Sequence, residues 1–285
     1  MKFEPVIKRS GSKRSQSEEI VSWFPKEIET YYEPFIGGGS VLFQLLNSDV
    51  QVKECICSDV NEELITLWRD IRDCPELLAT NYEIHWNNLN KHESISKRKE
   101  YYYYIRERFN KYKDTSDLLF LTRTCTNGLI RYNSKGEFNT PFHFLRKGIA
   151  PDKMERILFS WSNVLNQNNV QFVCRDYKTI IPREKDFMYL DPPYANIKGM
   201  YFGQIDYDEF WNYLRHLKCD YIFSFDGKTT SKDNTYEVPK DVYSSHIYMN
   251  KAINEFGKIH QKKEYVQESL YLGFNPHRNM RFELW

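Results

Sequence analysis

The chain of 285 residues contains no apolar run of 18, the length a membrane-spanning helix needs. It also shows no internal repeat and no low-complexity tract. Its first residues are charged (Lys2, Glu4, Lys8, Arg9), so no signal peptide is expected and a cytoplasmic location is. Six cysteines (Cys55, Cys57, Cys74, Cys125, Cys174, Cys219) lack both C-x-x-C spacing and His-rich neighbours. That argues against a zinc site and a disulfide framework, so reduced thiols and no metal are expected. A G-x-G-x-x-G fingerprint is missing, which disfavours a dinucleotide cofactor. With 41% hydrophobic and 16% aromatic residues the chain can bury a full core, as one large domain or a core plus an inserted lobe.

What is present is a series of strand-like runs that end in acids or glycines. Thr30–Phe35 leads into Gly37-Gly38-Gly39 and the apolar helix-like stretch Ser40–Leu46. Glu54–Ser58 ends at Asp59, with a helix-like segment from Glu62 to Trp68 beyond it. Val170–Cys174 ends at Asp176, and Phe187–Leu190 ends at Asp191-Pro192-Pro193-Tyr194. Further strands are expected at Tyr221–Phe225 and Ser269–Phe274. In a parallel sheet such strand-end groups converge on one edge, where open α/β sheets bind ligands. Glycines at 37 to 39 would let the backbone approach a ligand closely. Asp59, 20 residues after Gly39, stands where such folds place a carboxylate on ribose hydroxyls. The double proline halts its strand, because proline cannot donate to a sheet ladder. It thereby holds a carboxylate and an aromatic ring on a stiff turn suited to a flat base with an exocyclic amine.

The net charge of +1 conceals a basic stretch. From Lys97 to Lys147, twelve bases stand against five acids, an excess of +7. Aromatic residues are interleaved with them: Tyr101 to Tyr104, Phe109, Tyr112, Tyr132, Phe138, Phe142 and Phe144. Bases for phosphates and rings for stacking compose a nucleic-acid face. A solvated helix with core aromatics accounts better for Tyr101 to Phe109. Arg123 to Arg146, rich in Gly, Asn and Pro, reads as loop and hairpin.

These motifs, in this order, resemble the Dam-type (alpha-class) adenine-N6 site-specific DNA methyltransferases over nearly the whole length. The residues that carry the resemblance are Tyr32-Glu33-Pro34-Phe35-Ile36-Gly37-Gly38-Gly39-Ser40, Asp59-Val60-Asn61 and Asp191-Pro192-Pro193-Tyr194. To these are added Arg123, Asn127-Gly128-Leu129-Ile130-Arg131-Tyr132-Asn133 and Gly136-Glu137-Phe138-Asn139-Thr140-Pro141-Phe142. The resemblance implies a Rossmann-like α/β sheet of the S-adenosylmethionine-dependent methyltransferase class with an inserted, mostly helical target-recognition domain. The expected division is residues 1–61 and 170–285 for the catalytic part and 62–169 for recognition. It implies S-adenosyl-L-methionine as cofactor, S-adenosyl-L-homocysteine as product, and double-stranded DNA as partner. A cognate restriction endonuclease and association with the nucleoid are compatible with it.

By the same resemblance Asp191, Pro192, Pro193 and Tyr194 form the catalytic turn. Arg9, Lys13, Phe35, Gly37, Gly39, Asp59, Asp176 and Asp191 belong to the cofactor pocket, and Arg123, Asn127, Leu129, Arg131, Asn133, Lys135 and Pro141 to the DNA face. The arginine at the position of Arg131 reads a guanine in enzymes specific for GATC, so GATC or a longer site containing GAT is expected. One departure stands out. The N-terminal motif of the family usually reads Trp-x-Gly-Gly-Lys, whereas here Arg9 replaces the aromatic and Ser12 a glycine, with Gly11 and Lys13 kept. The alternatives are an amino methyltransferase acting on cytosine N4 or a protein glutamine, which tends to carry Ser or Asn where Asp191 stands, and a non-catalytic DNA-binding relative. A cytosine-C5 enzyme needs a Pro-Cys step, which this chain lacks.

Overall fold

The computed structural model describes residues 4–193, 205–229, 236–251 and 266–273. After α1 (Ser17–Ser22) the chain enters β1 (Glu27–Glu33), α2 (Ser40–Leu46), β2 (Gln51–Asp59) and α3 (Glu62–Asp73). Four helices follow: α4 (Pro75–Asn90), α5 (Ile95–Tyr112), α6 (Thr115–Thr124) and, after a long loop, α7 (Pro151–Gln167). The chain then returns to the sheet through β3 (Val170–Cys174), β4 (Phe187–Leu190), α8 (Tyr207–Arg215), β5 (Asp220–Thr229), β6 (Ser245–Lys251) and β7 (Val266–Gly273).

These strands form one seven-stranded sheet in the order β3-β2-β1-β4-β5-β7-β6. Strands β1 to β5 pair in parallel, and β7 runs antiparallel between β5 and β6. Chain order reverses between β1 and β4, so a crevice is expected beyond their carboxyl ends. All four residues of β4 are buried, the pattern of a central strand covered on both faces.

Local chemistry explains where the elements begin. Asn61 caps α3 by accepting a hydrogen bond from Leu64 N at 2.9 Å, and Glu62 and Glu63 occupy its first turn, which suits the positive end of the helix dipole. Asp114 caps α6 and Asp206 caps α8 in the same way. In α5 the buried residues are Tyr102, Ile105 and Phe109, one stripe at helical spacing. Its aromatic run is thus largely core, while Tyr104 and Tyr112 stay exposed.

The region expected as a separate lobe is joined to the sheet by a continuous core. Trp68 of α3 stacks on Phe172 of β3, with ring centres 5.5 Å apart. Trp161 of α7 lies 4.9 Å from both Trp68 and Phe43. Helices α3 and α7 therefore cover the sheet, α4 and α6 pack against them, and α5 packs on α4 and α6. The expected boundaries at 61/62 and 169/170 do not mark a break in this core. A second cluster, including Met188, Phe210, Trp211 and Phe223, fills the opposite face.

Between α6 and α7 the chain forms an irregular hairpin, with isolated antiparallel bridges at Cys125–Phe142 and Tyr132–Phe138. Asn133 closes its tip: Oδ1 accepts from Lys135 N and Glu137 N, and Nδ2 donates to Glu137 Oε2. All six cysteines are free. Among the described residues no helix is long and apolar enough to cross a membrane, and no cluster of His, Cys, Asp and Glu could hold a metal ion.

Candidate active site

The carboxyl ends of β1, β2, β3 and β4 surround a cavity of about 370 Å³, within the size range of small-molecule sites. Every expected cofactor-pocket residue lines it: Arg9, Lys13, Phe35, Gly37, Gly39, Asp59, Asp176 and Asp191. Pro192 and Pro193 line it as well, and Tyr194 lies outside the described residues. The double-proline turn is held from α8, where the Tyr207 hydroxyl donates to Pro193 O at 2.6 Å. The ring of Phe35 meets Tyr177 at 5.5 Å, placing two aromatic faces beside Asp176.

The N-terminal segment forms one wall. Lys13 is 4% exposed, and its ammonium lies 2.7 Å from Asp191 Oδ1. Burial works against that charge, but neighbouring carboxylates outweigh it and raise the Lys13 pKa, so it stays an ammonium. Burial is also the main reason that Asp191 is a weaker acid than an ordinary aspartate, with Lys13 opposing the shift. Asp59 behaves similarly, raised by burial and pulled back by Arg9, whose Nη1 lies 3.7 Å from Asp59 Oδ2. Arg9 thus fills the place of the missing aromatic and spans from Gly37 to the Asp59 carboxylate.

The glycines of the turn line the cavity and also pack closely against the protein's own side chains. A Cβ on Gly39 would meet Trp68 at 2.8 Å, and one on Gly37 would meet Arg9 at 3.3 Å. Both positions accommodate the protein's own side chains.

Glu33 was absent from the expected site, yet it lines the cavity from the end of β1 while 3% exposed. It accepts a hydrogen bond from the Tyr31 hydroxyl at 2.8 Å. Burial pushes its pKa up to about 8, with the nearby Asp191 adding to the shift. An acid raised in the native state contributes stability that is complete below the unfolded carboxylate pKa and drains as pH rises toward about 8. Glu33→Gln, measured without ligands, should therefore gain melting temperature over wild type at pH 8 but not at pH 5. An equal difference at both pH values would show that Glu33 is not buried as an acid. Strand alternation signals it, since Tyr31 and Glu33 share a face of β1.

Residues 10–267 match the D12 class N6 adenine-specific DNA methyltransferase family. The type II methyltransferase M.MjaIII of Methanocaldococcus jannaschii is 36% identical over 209 residues, which cover 68% of this chain and 70% of that protein. The DNA adenine methylase of Escherichia coli K12 is 34% identical over 205 residues, covering 70% and 67%. The chain belongs to this family. It is an adenine-N6 DNA methyltransferase. Among solved structures, the rRNA methyltransferase aviRa from Streptomyces viridochromogenes is similar over 95% of this chain and 90% of that one, with a TM-score of 0.38 and 12% identity.

The residues expected on the DNA face of this methyltransferase divide into two groups. Arg123, read as the start of a loop and hairpin, lies instead within α6, 7% exposed, and its Nη2 donates to Pro5 O at 2.9 Å. Burial lowers its pKa to about 10, and it ties the N-terminal segment to the helices. Asn127 adopts a positive φ of 55° in a short turn, beside a partly buried Leu129. Arg131 sits on an arm of the hairpin, one residue from its last bridge and not at the tip, with Nε donating to Asn139 Oδ1 at 2.8 Å. Asn133 is engaged in closing the tip, while Lys135 and Pro141 are exposed. Gly128 packs against Lys8, and its carbonyl accepts from Ser10 N at 3.3 Å. The base of the hairpin therefore touches the segment that walls the cavity, and Ile130 lines the cavity itself.

Proposed function

We propose that this methyltransferase uses S-adenosylmethionine to methylate N6 of an adenine turned out of duplex DNA, within GATC or a longer site containing GAT. The observation that carries this reading is the Asp191 carboxylate, held 2.7 Å from the buried Lys13 ammonium at a proline-stiffened strand end that lines the cavity.

The chain's own residues suit that cofactor. Its sulfonium is positive, and the lining acids Asp59, Asp176, Asp191, Asp206 and Glu209 outnumber the lining bases Arg9, Lys13 and Lys178. Asp59 is the acceptor for ribose hydroxyls, and Phe35 and Tyr177 offer apolar faces for an adenine ring. When bound, S-adenosylmethionine supplies the methyl group.

Asp191 and the Pro192 carbonyl would accept the two N6 hydrogens of the target. Adenine N6 is a poor nucleophile because its lone pair is delocalised into the ring, and two acceptors localise that pair. Positioning and exclusion of water supply the remaining acceleration without a covalent intermediate. The target amine is out of reach inside a duplex, which requires base flipping, with Tyr194 as the stacking partner of the extruded base. Single-molecule sequencing of DNA from a methylation-free host expressing the chain tests the target base and site together. Methylation of cytosine, or no methylation with intact cofactor binding, would overturn the reading.

For sequence reading we assign Arg131, because arginine bidentate to guanine O6 and N7 is the commonest specific base contact. Arg131→Ala should cost about 1–3 kcal/mol and relax preference at one guanine. Lys135→Ala should instead weaken binding to all sequences alike and flatten the salt dependence. If Arg131→Ala lowers activity equally on matched and mismatched guanine positions, Arg131 clamps the backbone and the GATC assignment loses its support.

A further inference from the structure

Lys13 has a second carboxylate partner, and it comes from the opposite end of the sequence. Glu268 Oε2 lies 3.3 Å from the Lys13 ammonium, whose contact with Asp191 Oδ1 is 2.7 Å. Glu268 is 7% exposed, on β7. The strand opposite is irregular there: pairing passes from Phe225–Ser269 to Lys228–Gln267, so two residues of β5 stand against Glu268. A Cβ on Gly227 would fall 1.9 Å from Gln267 O, so only glycine permits this bulge. Bulges beside active sites re-aim a side chain of the ladder, and the one whose charge meets Lys13 here is Glu268.

We propose that Glu268 is a positioning residue for amine activation, sharing the Lys13 ammonium so that Asp191 stays ionised yet keeps enough negative charge to accept the adenine amine. With Lys13 alone, Asp191 would be tied into a tight pair and become a poor acceptor. Without Lys13, burial would favour its protonated form, which accepts poorly as well. One ammonium held between two carboxylates keeps Asp191 between these extremes. Burial and Glu268 act on Asp191 in one direction, and Lys13 and Arg9 in the other. From β1, Glu33 also faces Asp191, and from β4 the Tyr189 hydroxyl shares a 2.6 Å hydrogen bond with Ser224.

The proposal rests on Asp191 as the amine acceptor and is tested apart from it. The Asp191 carboxyl is titrated by ¹³C NMR in the full chain without cofactor or DNA, and the pH dependence of kcat is recorded, for wild type, Glu268→Gln, Glu268→Asp and Lys13→Met. Glu268→Gln keeps the shape and removes the charge, so the Asp191 titration should move to lower pH and the acid limb of kcat should follow. At neutral pH kcat should fall roughly three- to tenfold, as expected for a less basic acceptor, with KM for S-adenosylmethionine nearly unchanged. Lys13→Met should move the Asp191 titration the opposite way, and Glu268→Asp should restore part of the wild-type profile. An Asp191 titration that ignores Glu268→Gln overturns the proposal and leaves the acceptor reading standing. So does a loss of kcat with an unmoved acid limb and a lowered melting temperature, which would mark Glu268 as packing alone. Retained turnover in Asp191→Ala would overturn the acceptor reading itself.

Discussion

Asp191→Ala is expected to lose methyl transfer by roughly 10²–10³-fold, the scale seen when one preorganised electrostatic contact is removed from an active site. The side chain follows β4 and lies outside the apolar core, so its loss creates no large cavity. It does remove the nearer partner of the buried Lys13, but Glu268 remains at 3.3 Å, so that ammonium is not left without a carboxylate. The fold should therefore survive, as circular dichroism and a cooperative melt would register. Single-turnover transfer to DNA is the decisive measurement, because it separates chemistry from product release. An interaction used mainly in the transition state lowers kcat more than it raises KM. Asp191→Asn should be nearly as inactive, because an amide can orient but cannot supply the negative charge. Residual turnover above about a tenth of wild type, less than the ~1.4 kcal/mol that a tenfold change represents, would remove Asp191 from the amine-activating role.

Much of this arrangement is legible in the sequence because parallel strands advertise themselves. β3 and β4 were expected at the bounds observed, and β1, β2, β5 and β7 within a few residues. Each of them is an apolar or alternating run that ends in an acid, a glycine or a proline. The convergence of Asp59, Asp176 and Asp191 on one cavity follows from strand direction alone. Other features carry no such signal. β6 reads His-Ile-Tyr-Met-Asn, too polar to mark a strand, and is an edge strand specified by its pairing with β7. Glu268 joins the site only because an antiparallel β7 inserts between β5 and β6, a tertiary fact invisible to local pattern. The placement of Arg123 in a helix is hidden for a related reason: its partner is the backbone of Pro5, over a hundred residues away. Whether the helical stretch packs on the sheet is not legible either, because helical sequence looks alike whether it covers a sheet or stands apart. What decides for α3 and α7 is Trp68 and Trp161, whose rings close over the sheet.

Gly39→Ala should destabilise this methyltransferase by about 2–4 kcal/mol, combining left-handed backbone strain with overpacking. Gly39 has a φ of +66° at the N-terminus of α2, in the left-handed region that favours glycine. An added methyl would meet the Trp68 ring at 2.8 Å and Trp161 at 3.2 Å. Neither ring can easily yield. Trp68 Nε1 donates to Gly37 O at 3.0 Å, and its ring is held between Phe172 and Trp161. Relief would therefore come through the Gly37–Ser40 backbone, which lines the cavity. For a chain of this size the loss corresponds to a fall of roughly 4–12 °C in melting temperature. Gly38→Ala is the internal control: its added Cβ would come no closer than 3.7 Å to any residue beyond its chain neighbours, and its melt should stay close to wild type. If the turn instead served chiefly to bring backbone against the cofactor, Gly39→Ala would melt like wild type and lose affinity for S-adenosylmethionine. Calorimetric titration beside the melt tells these apart, because packing strain appears without ligand present and a ligand clash appears only with it.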